Sequence, residues 1–102
     1  MFVAMNRFRV AKGKEDQFEE VWRSRETRLE EMAGFKTFHL LRGGEADDYT
    51  LYASHTIWSD RASFEAWTRS EQFRDAHKDA GQNRDLYLGH PEFEGFESVL
   101  GA

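Results

Sequence analysis

Three side chains of this sequence are placed to do chemistry: the amide of Asn6, the indole of Trp67 and the imidazole of His77. Asn6 interrupts an apolar row. In Phe2-Val3-Ala4-Met5-Asn6-Arg7-Phe8-Arg9-Val10, strand alternation puts Phe2, Ala4, Asn6, Phe8 and Val10 on one side. A carboxamide buried there without a partner costs about 1–3 kcal/mol, so the spacing predicts a hydrogen-bonding group beside it. Its NH2 donates without titrating. Trp67 and His77 stand ten residues apart in Phe64-Glu65-Ala66-Trp67…Phe73-Arg74-Asp75-Ala76-His77. The indole offers a broad flat contact, and the imidazole is a metal ligand or a base near neutral pH. Each also has a plainer reading. Trp67, three after Phe64, has the spacing of core packing, Asn6 can pair with neighbouring backbone, and most helical histidines ligate nothing.

The elements that must position these groups follow from periodicity and turn chemistry. A first strand covers about residues 2–10 and ends at the turn around Gly13. Phe18, Val21, Trp22, Arg25, Leu29 and Met32 then recur at amphipathic-helix spacing, and Gly34 closes that helix as a C′ glycine. Phe35 to Arg42 reads as a second strand, Gly43 to Asp48 as a polar hairpin loop and Tyr49 to Trp58 as a third strand. Ser59 or Asp60 caps a second helix carrying Phe64 and Trp67; Ser70 caps a third carrying Phe73 and His77. A polar stretch from Asp79 to about Gly89 precedes a last strand, Phe93 to Leu100. The order is βαββαβ with its second helix split, an α+β, ferredoxin-like arrangement in a single domain over residues 1–102.

The strand faces carry a second expectation. Strand three sets Leu51, Ala53, His55 and Ile57 against Thr50, Tyr52, Ser54, Thr56 and Trp58; strand one adds Val3 and Met5 to its second face. Strand two sets Phe38 and Leu40 opposite Phe35 and Leu41. A one-sided sheet alternates sharply, and neither face here is cleanly polar. The open face is expected to pack on a second copy, making a homodimer.

Composition narrows the function classes. Nine Phe, three Trp and three Tyr against a single Pro point to a dense core or to apolar surface kept for a flat ligand. A net charge of −5 argues against nonspecific nucleic-acid binding. Without Cys there is no disulfide, thiolate nucleophile or thiolate metal site. No leader pattern and no membrane-length apolar run is present, so a soluble, cytoplasmic protein without a membrane partner is expected. No Gly-rich nucleotide fingerprint occurs, so any electrons come from an external donor.

Asn6-Arg7 in the first strand, Gly34-Phe35 opening the second, Trp58-Ser59-Asp60 leading into Phe64-x-x-Trp67, and Phe73-x-x-Ala76-His77 together resemble the IsdG-type haem-degrading monooxygenases of the antibiotic-biosynthesis-monooxygenase superfamily. The resemblance spans nearly the whole chain. Its barrel, Gly-Phe and Trp-Ser-Asp pieces are shared across the superfamily, whereas Asn6, Trp67 and His77 together are its specific part. It implies a dimeric α+β barrel, with haem as both cofactor and substrate, opened by dioxygen and electrons from a reductase or small-molecule reductant to release iron and a linear tetrapyrrole. It further implies that His77 is the axial iron ligand, that Asn6 hydrogen-bonds on the distal side, and that Trp67 presses the porphyrin out of plane, one of a protein's levers on haem reactivity.

Around these, Phe8, Trp22, Phe64 and Phe73 would line a flat apolar cleft, with Arg25 or Lys78 meeting a propionate. His39 and His55 are expected in core or barrel contacts, and His90, beside Pro91, in a solvated loop. Two alternatives fit the same residues: a cofactor-free monooxygenase or isomerase acting on a small aromatic molecule with His77 as base, and a non-catalytic haem carrier.

Overall fold

Alternation in the first residues becomes β1 (Phe2–Ala11), the strand on which the rest is built. The computed structural model describes residues 1–25, 27–77 and 85–101. After β1 come α1 (Glu15–Ser24), a 3-10 turn (Leu29–Glu31), β2 (Phe35–Glu45), β3 (Tyr49–Trp58), α2 (Arg61–Thr68), α3 (Glu71–His77) and β4 (Glu92–Glu97). The sheet runs β2-β3-β1-β4 with every neighbouring pair antiparallel, so the α+β, ferredoxin-like order read from the sequence is the order observed.

All helices lie over one face. Phe2, Ala4, Leu29, Trp58, Trp67 and Ala76 form one buried cluster, and Phe8, Val10, Phe18, Tyr52 and Leu86 a second. Asn6 lies on β1 between Ala4 of the first cluster and Phe8 of the second, paired across the ladder with Ser54 and Phe93. The core is thus divided at the amide. The opposite face carries Val3, Met5, Leu51, Ala53, His55, Ile57 and Phe96, and none of these is fully buried. His39 and His55 face each other across β2 and β3 there, His39 exposed and His55 half-buried, not in the core.

Three boundaries and one strand face differ from expectation. The first helix does not run to Met32; it stops at Ser24, and Arg25 is extended at φ −75°, ψ 128°. Arg28 then takes a left-handed φ of 58°, held by ion pairs to Glu31 and Asp75, before Leu29 re-enters the core. Gly34, at φ +83°, closes the short 3-10 turn; a Cβ there would collide with the Ser63 side chain. An irregularity between Phe35 and Thr37 rotates β2, so Phe35 shares the helix face with Phe38 and Leu40 and does not oppose them. The strand also continues through Gly43 and Gly44 to Glu45, with a second irregularity after Arg42. Finally, β4 ends at Glu97, because β1 has no residue left to pair with beyond the Ser98 N–H bond to Met1 O at 2.9 Å. Val99 and Leu100 project into solvent.

The caps fall where the sequence puts them. Asp60 accepts from Ser63 N at 2.8 Å and starts α2, and Ser70 Oγ accepts from Phe73 N at 3.0 Å and starts α3.

Candidate active site

The division of the core at Asn6 opens a cleft between sheet and helices. It has a smaller chamber of about 320 Å³ and a larger one of about 800 Å³. Asn6, Trp22, Arg25, Phe73 and His77 line both, so the two adjoin along these residues. Phe64 and Trp67 line the smaller chamber and Phe8 the larger. All eight residues singled out for the cleft therefore stand on its walls. Lys78 lies outside the described residues.

His77 ends α3, one turn after Phe73. Its ring stacks on Phe73 with centroids 4.1 Å apart and stands 6.5 Å from Trp67. The Nδ1 atom is 2.8 Å from the Phe73 carbonyl oxygen. A carbonyl only accepts, so this bond requires the proton on Nδ1 and leaves the Nε2 lone pair free. Burial, with a smaller contribution from the Arg25 charge, holds the imidazole pKa below its ordinary 6.5, against the Phe73 bond that favours the cation. The ring is therefore neutral at neutral pH with one nitrogen available, the form in which imidazole binds a metal.

Arg25 reaches the cleft because α1 breaks before it. Its guanidinium carbon lies 4.4 Å from the centroid of the Trp22 ring, a cation–π contact. Burial lowers its pKa, and no carboxylate among the described residues offsets that. Trp22 in turn stacks on Phe38 at 5.7 Å, its indole N–H buried without an acceptor among the described residues. Asn6 projects from the sheet floor, while His77 belongs to the helical roof. No described residue hydrogen-bonds the Asn6 carboxamide, which is half-buried and lines both chambers, open to water or a ligand there.

Residues 1–79 match the model of the family described as antibiotic biosynthesis monooxygenase. The chain belongs to that family. A heme-degrading monooxygenase of Bacillus mycoides (strain KBAB4) is 28% identical over 88 residues, covering 86% of this chain and 81% of the relative. One of Shouchella clausii (strain KSM-K16) is 33% identical over 73 residues, covering 71% and 68%. Among solved structures, the heme-degrader MhuD from Mycobacterium tuberculosis, with two hemes bound in its active site, superposes with a TM-score of 0.75 at 25% identity over 100% of this chain and 99% of that one.

Within this antibiotic biosynthesis monooxygenase fold the cleft has walls that the sequence reading did not supply. Thr27, Phe38, Ser54 and Phe93 line the smaller chamber; Tyr87, Gly89, His90 and Pro91 line the larger. Phe93 was accessible from alternation, since it pairs with Asn6 and stacks on Phe64 at 5.4 Å. Tyr87 sits in a stretch that reads as polar loop. His90 is exposed, as expected of a loop residue, yet stands on the chamber wall. Among the described residues no three His, Cys, Asp or Glu side chains are grouped to hold a bare metal ion, and no helix is long and apolar enough to cross a membrane.

Proposed function

We propose that this protein is a haem-degrading monooxygenase whose substrate lies flat in the cleft between Asn6 and His77. The observation that carries the reading is the His77–Phe73 bond of 2.8 Å, which leaves a neutral imidazole nitrogen free among aromatic rings. A lone imidazole is a poor site for a bare ion but a sufficient one for iron already held by four porphyrin nitrogens. The relatives named for haem degradation support the same reading.

Each wall then has a role. His77 Nε2 holds the iron from the helix side, with Phe73 fixing the ring's tautomer. From the sheet side, the Asn6 amide donates a hydrogen bond across the open face without taking part in proton transfer. Trp67 presses on the macrocycle, and Phe8, Phe64 and Phe73 exclude water. Arg25 faces a carboxylate of the substrate. Dioxygen is the oxidant, electrons come from an external donor, and the products are iron and an opened tetrapyrrole.

Adding haem to the purified protein should give a Soret band saturating at one or more haems per chain, and that band should decay under reductant and oxygen. A band that forms and persists under turnover conditions would make this a carrier; no band at all would return the cleft to a cofactor-free oxygenase.

The open sheet face supports a homodimer. Leu41 and Phe96, 42% and 49% exposed, extend an apolar surface over Val3, Met5, Leu51 and Ile57. Light scattering at micromolar concentration should give about twice the 12.0 kDa subunit mass; a stable monomer would remove the dimer from the proposal.

A further inference from the structure

The imidazole on which the proposed function depends rides on the shortest α-helix among the described residues. With seven residues, α3 is too short to be stable by its own backbone bonds, so its contacts decide where it sits. Phe73, Ala76 and His77 recur at helical spacing and line the smaller chamber. Gln72 and Asp75, three apart, form the neighbouring stripe outside it. Facing that stripe is the turn that carries Arg28. The guanidinium donates from Nε and Nη2 to the two carboxylate oxygens of Glu31, at 2.8 and 3.0 Å, and from Nη1 to Asp75 Oδ2 at 2.9 Å. Glu31 also accepts from Gln72 Nε2 at 3.4 Å. Arg28 is strained to make these bonds. Its φ of 58° is left-handed, a region that glycine takes freely and a residue with a Cβ takes at a cost. What arginine adds at that position is therefore its side chain.

We infer that the Arg28–Asp75 pair is a latch that holds α3 against the 3-10 turn, making both residues positioning residues for His77. Thr27 and Leu29, on either side of Arg28, belong to the wall of the smaller chamber, as do Phe73 and Ala76 around Asp75. Arg28 and Asp75 themselves line neither chamber. The pair thus joins two walls of the cleft from outside, without touching what the cleft holds. Ser70 caps the start of α3, and Phe73 packs on Trp67 in its first turn. In the last turn Ala76 is buried but small, and the Asp75 ion pair adds the bond beside the histidine. An axial ligand must meet iron at a set distance and tilt, so restraint at that end of the helix counts most. The inference rests on the haem reading, since a fixed imidazole matters only where it has an iron to meet. The two side chains are 36% and 47% exposed, which sets the scale: such a pair shifts an equilibrium a few-fold and weakens with salt.

The test uses Arg28→Gly, which keeps the left-handed turn and removes the fork, and Asp75→Asn, which keeps the shape and removes the charge. Amide hydrogen exchange is read first, on the whole protein without haem. The amides of Arg74 to His77 should exchange about fivefold faster in either variant, the upper range for one exposed ion pair, while those of β1 and β3 keep their rates. The double variant should exchange no faster than Arg28→Gly alone, because both changes break the same bond. Haem titrated in the Soret region should bind about fivefold more weakly in each variant. The ferrous iron–histidine stretching band should shift or broaden, with His77 still bound. Unchanged exchange in α3 would overturn the latch. Faster exchange with unchanged haem affinity and an unchanged stretching band would overturn the positioning role, leaving an ion pair that serves folding alone. Melting curves accompany both variants, and should Arg28→Gly fail to fold, Asp75→Asn carries the same comparison. If the unsubstituted protein took up no haem, the haem reading would fall and the positioning role with it, whereas the exchange rates would still report on the latch.

Discussion

The two halves of the helix-side core are built from similar aromatic residues and treat their polar groups in opposite ways. Around Phe18 the packing is closed: Val10 and Phe18 are 0% exposed and Tyr52 1%. Its buried hydroxyls are answered within the protein, although the Trp22 indole N–H at its edge is not. Tyr52 Oη donates to Glu19, Thr50 Oγ1 donates to Glu15 at 2.8 Å, and Arg42 adds a 3.3 Å ion pair to Glu19. Burial and the Glu19 carboxylate together push the Tyr52 phenol up to about 12, so it remains a donor at any physiological pH. Around Trp67, in contrast, Asn6, Arg25 and Nε2 of His77 face a cavity. Polar groups satisfied inside the fold mark the part that keeps it together. Those left to face a cleft mark the part that meets a ligand.

That contrast predicts a clean exchange of phenotypes. Phe18→Ala should cost about 3–5 kcal/mol of stability, seen as a large drop in melting temperature, while the fraction that remains folded binds haem as before. His77→Ala should do the reverse. Stability should change by no more than about 0.5 kcal/mol, and tight haem binding should disappear, or survive only with a spectrum lacking histidine ligation. An unchanged Soret maximum and an unchanged ferrous–CO spectrum in His77→Ala would remove the residue from the site and dissolve the comparison.

Much of this division could be read from the sequence, and the failures have physical causes. Alternation located Asn6 between Ala4 and Phe8, and β3 spans the residues it was read to span. Capping chemistry located both Asp60 and Ser70. The helix overrun past Ser24 arose because Leu29 and Met32 return to the same buried face after the break. Apolar periodicity reports burial, and here it continued where the helix did not. Nothing in the sequence marks Arg28 as left-handed, since a local cluster of ion pairs holds it there. The irregularity after Phe35, whose ring packs 5.6 Å from that of Trp58, likewise has no mark in the sequence. Tyr87 escaped notice because a residue in a polar stretch acquires a face only once its backbone joins a sheet edge. The free nitrogen of His77 depends on a carbonyl four residues earlier whose position only the folded helix fixes.

Trp67 is the residue on which the two kinds of core meet, and it gives the smaller and more graded test. It is 6% exposed and packs 6.2 Å from Trp58 and 5.4 Å from Phe73, which makes it structural; it also lines the smaller chamber beside His77, which makes it part of the site. Trp67→Phe keeps much of the ring area, whereas Trp67→Ala empties it at a cost of about 3–5 kcal/mol, so melting curves must accompany any assay. If pressure from the indole helps to distort a bound porphyrin, haem should still bind in both variants because His77 is untouched. The rate of degradation should fall in the order Trp, Phe, Ala, in step with the out-of-plane signature in resonance Raman spectra. Equal rates among well-folded variants would assign Trp67 wholly to packing. The functional half of the core would then begin at Phe73, one turn before the histidine it orients.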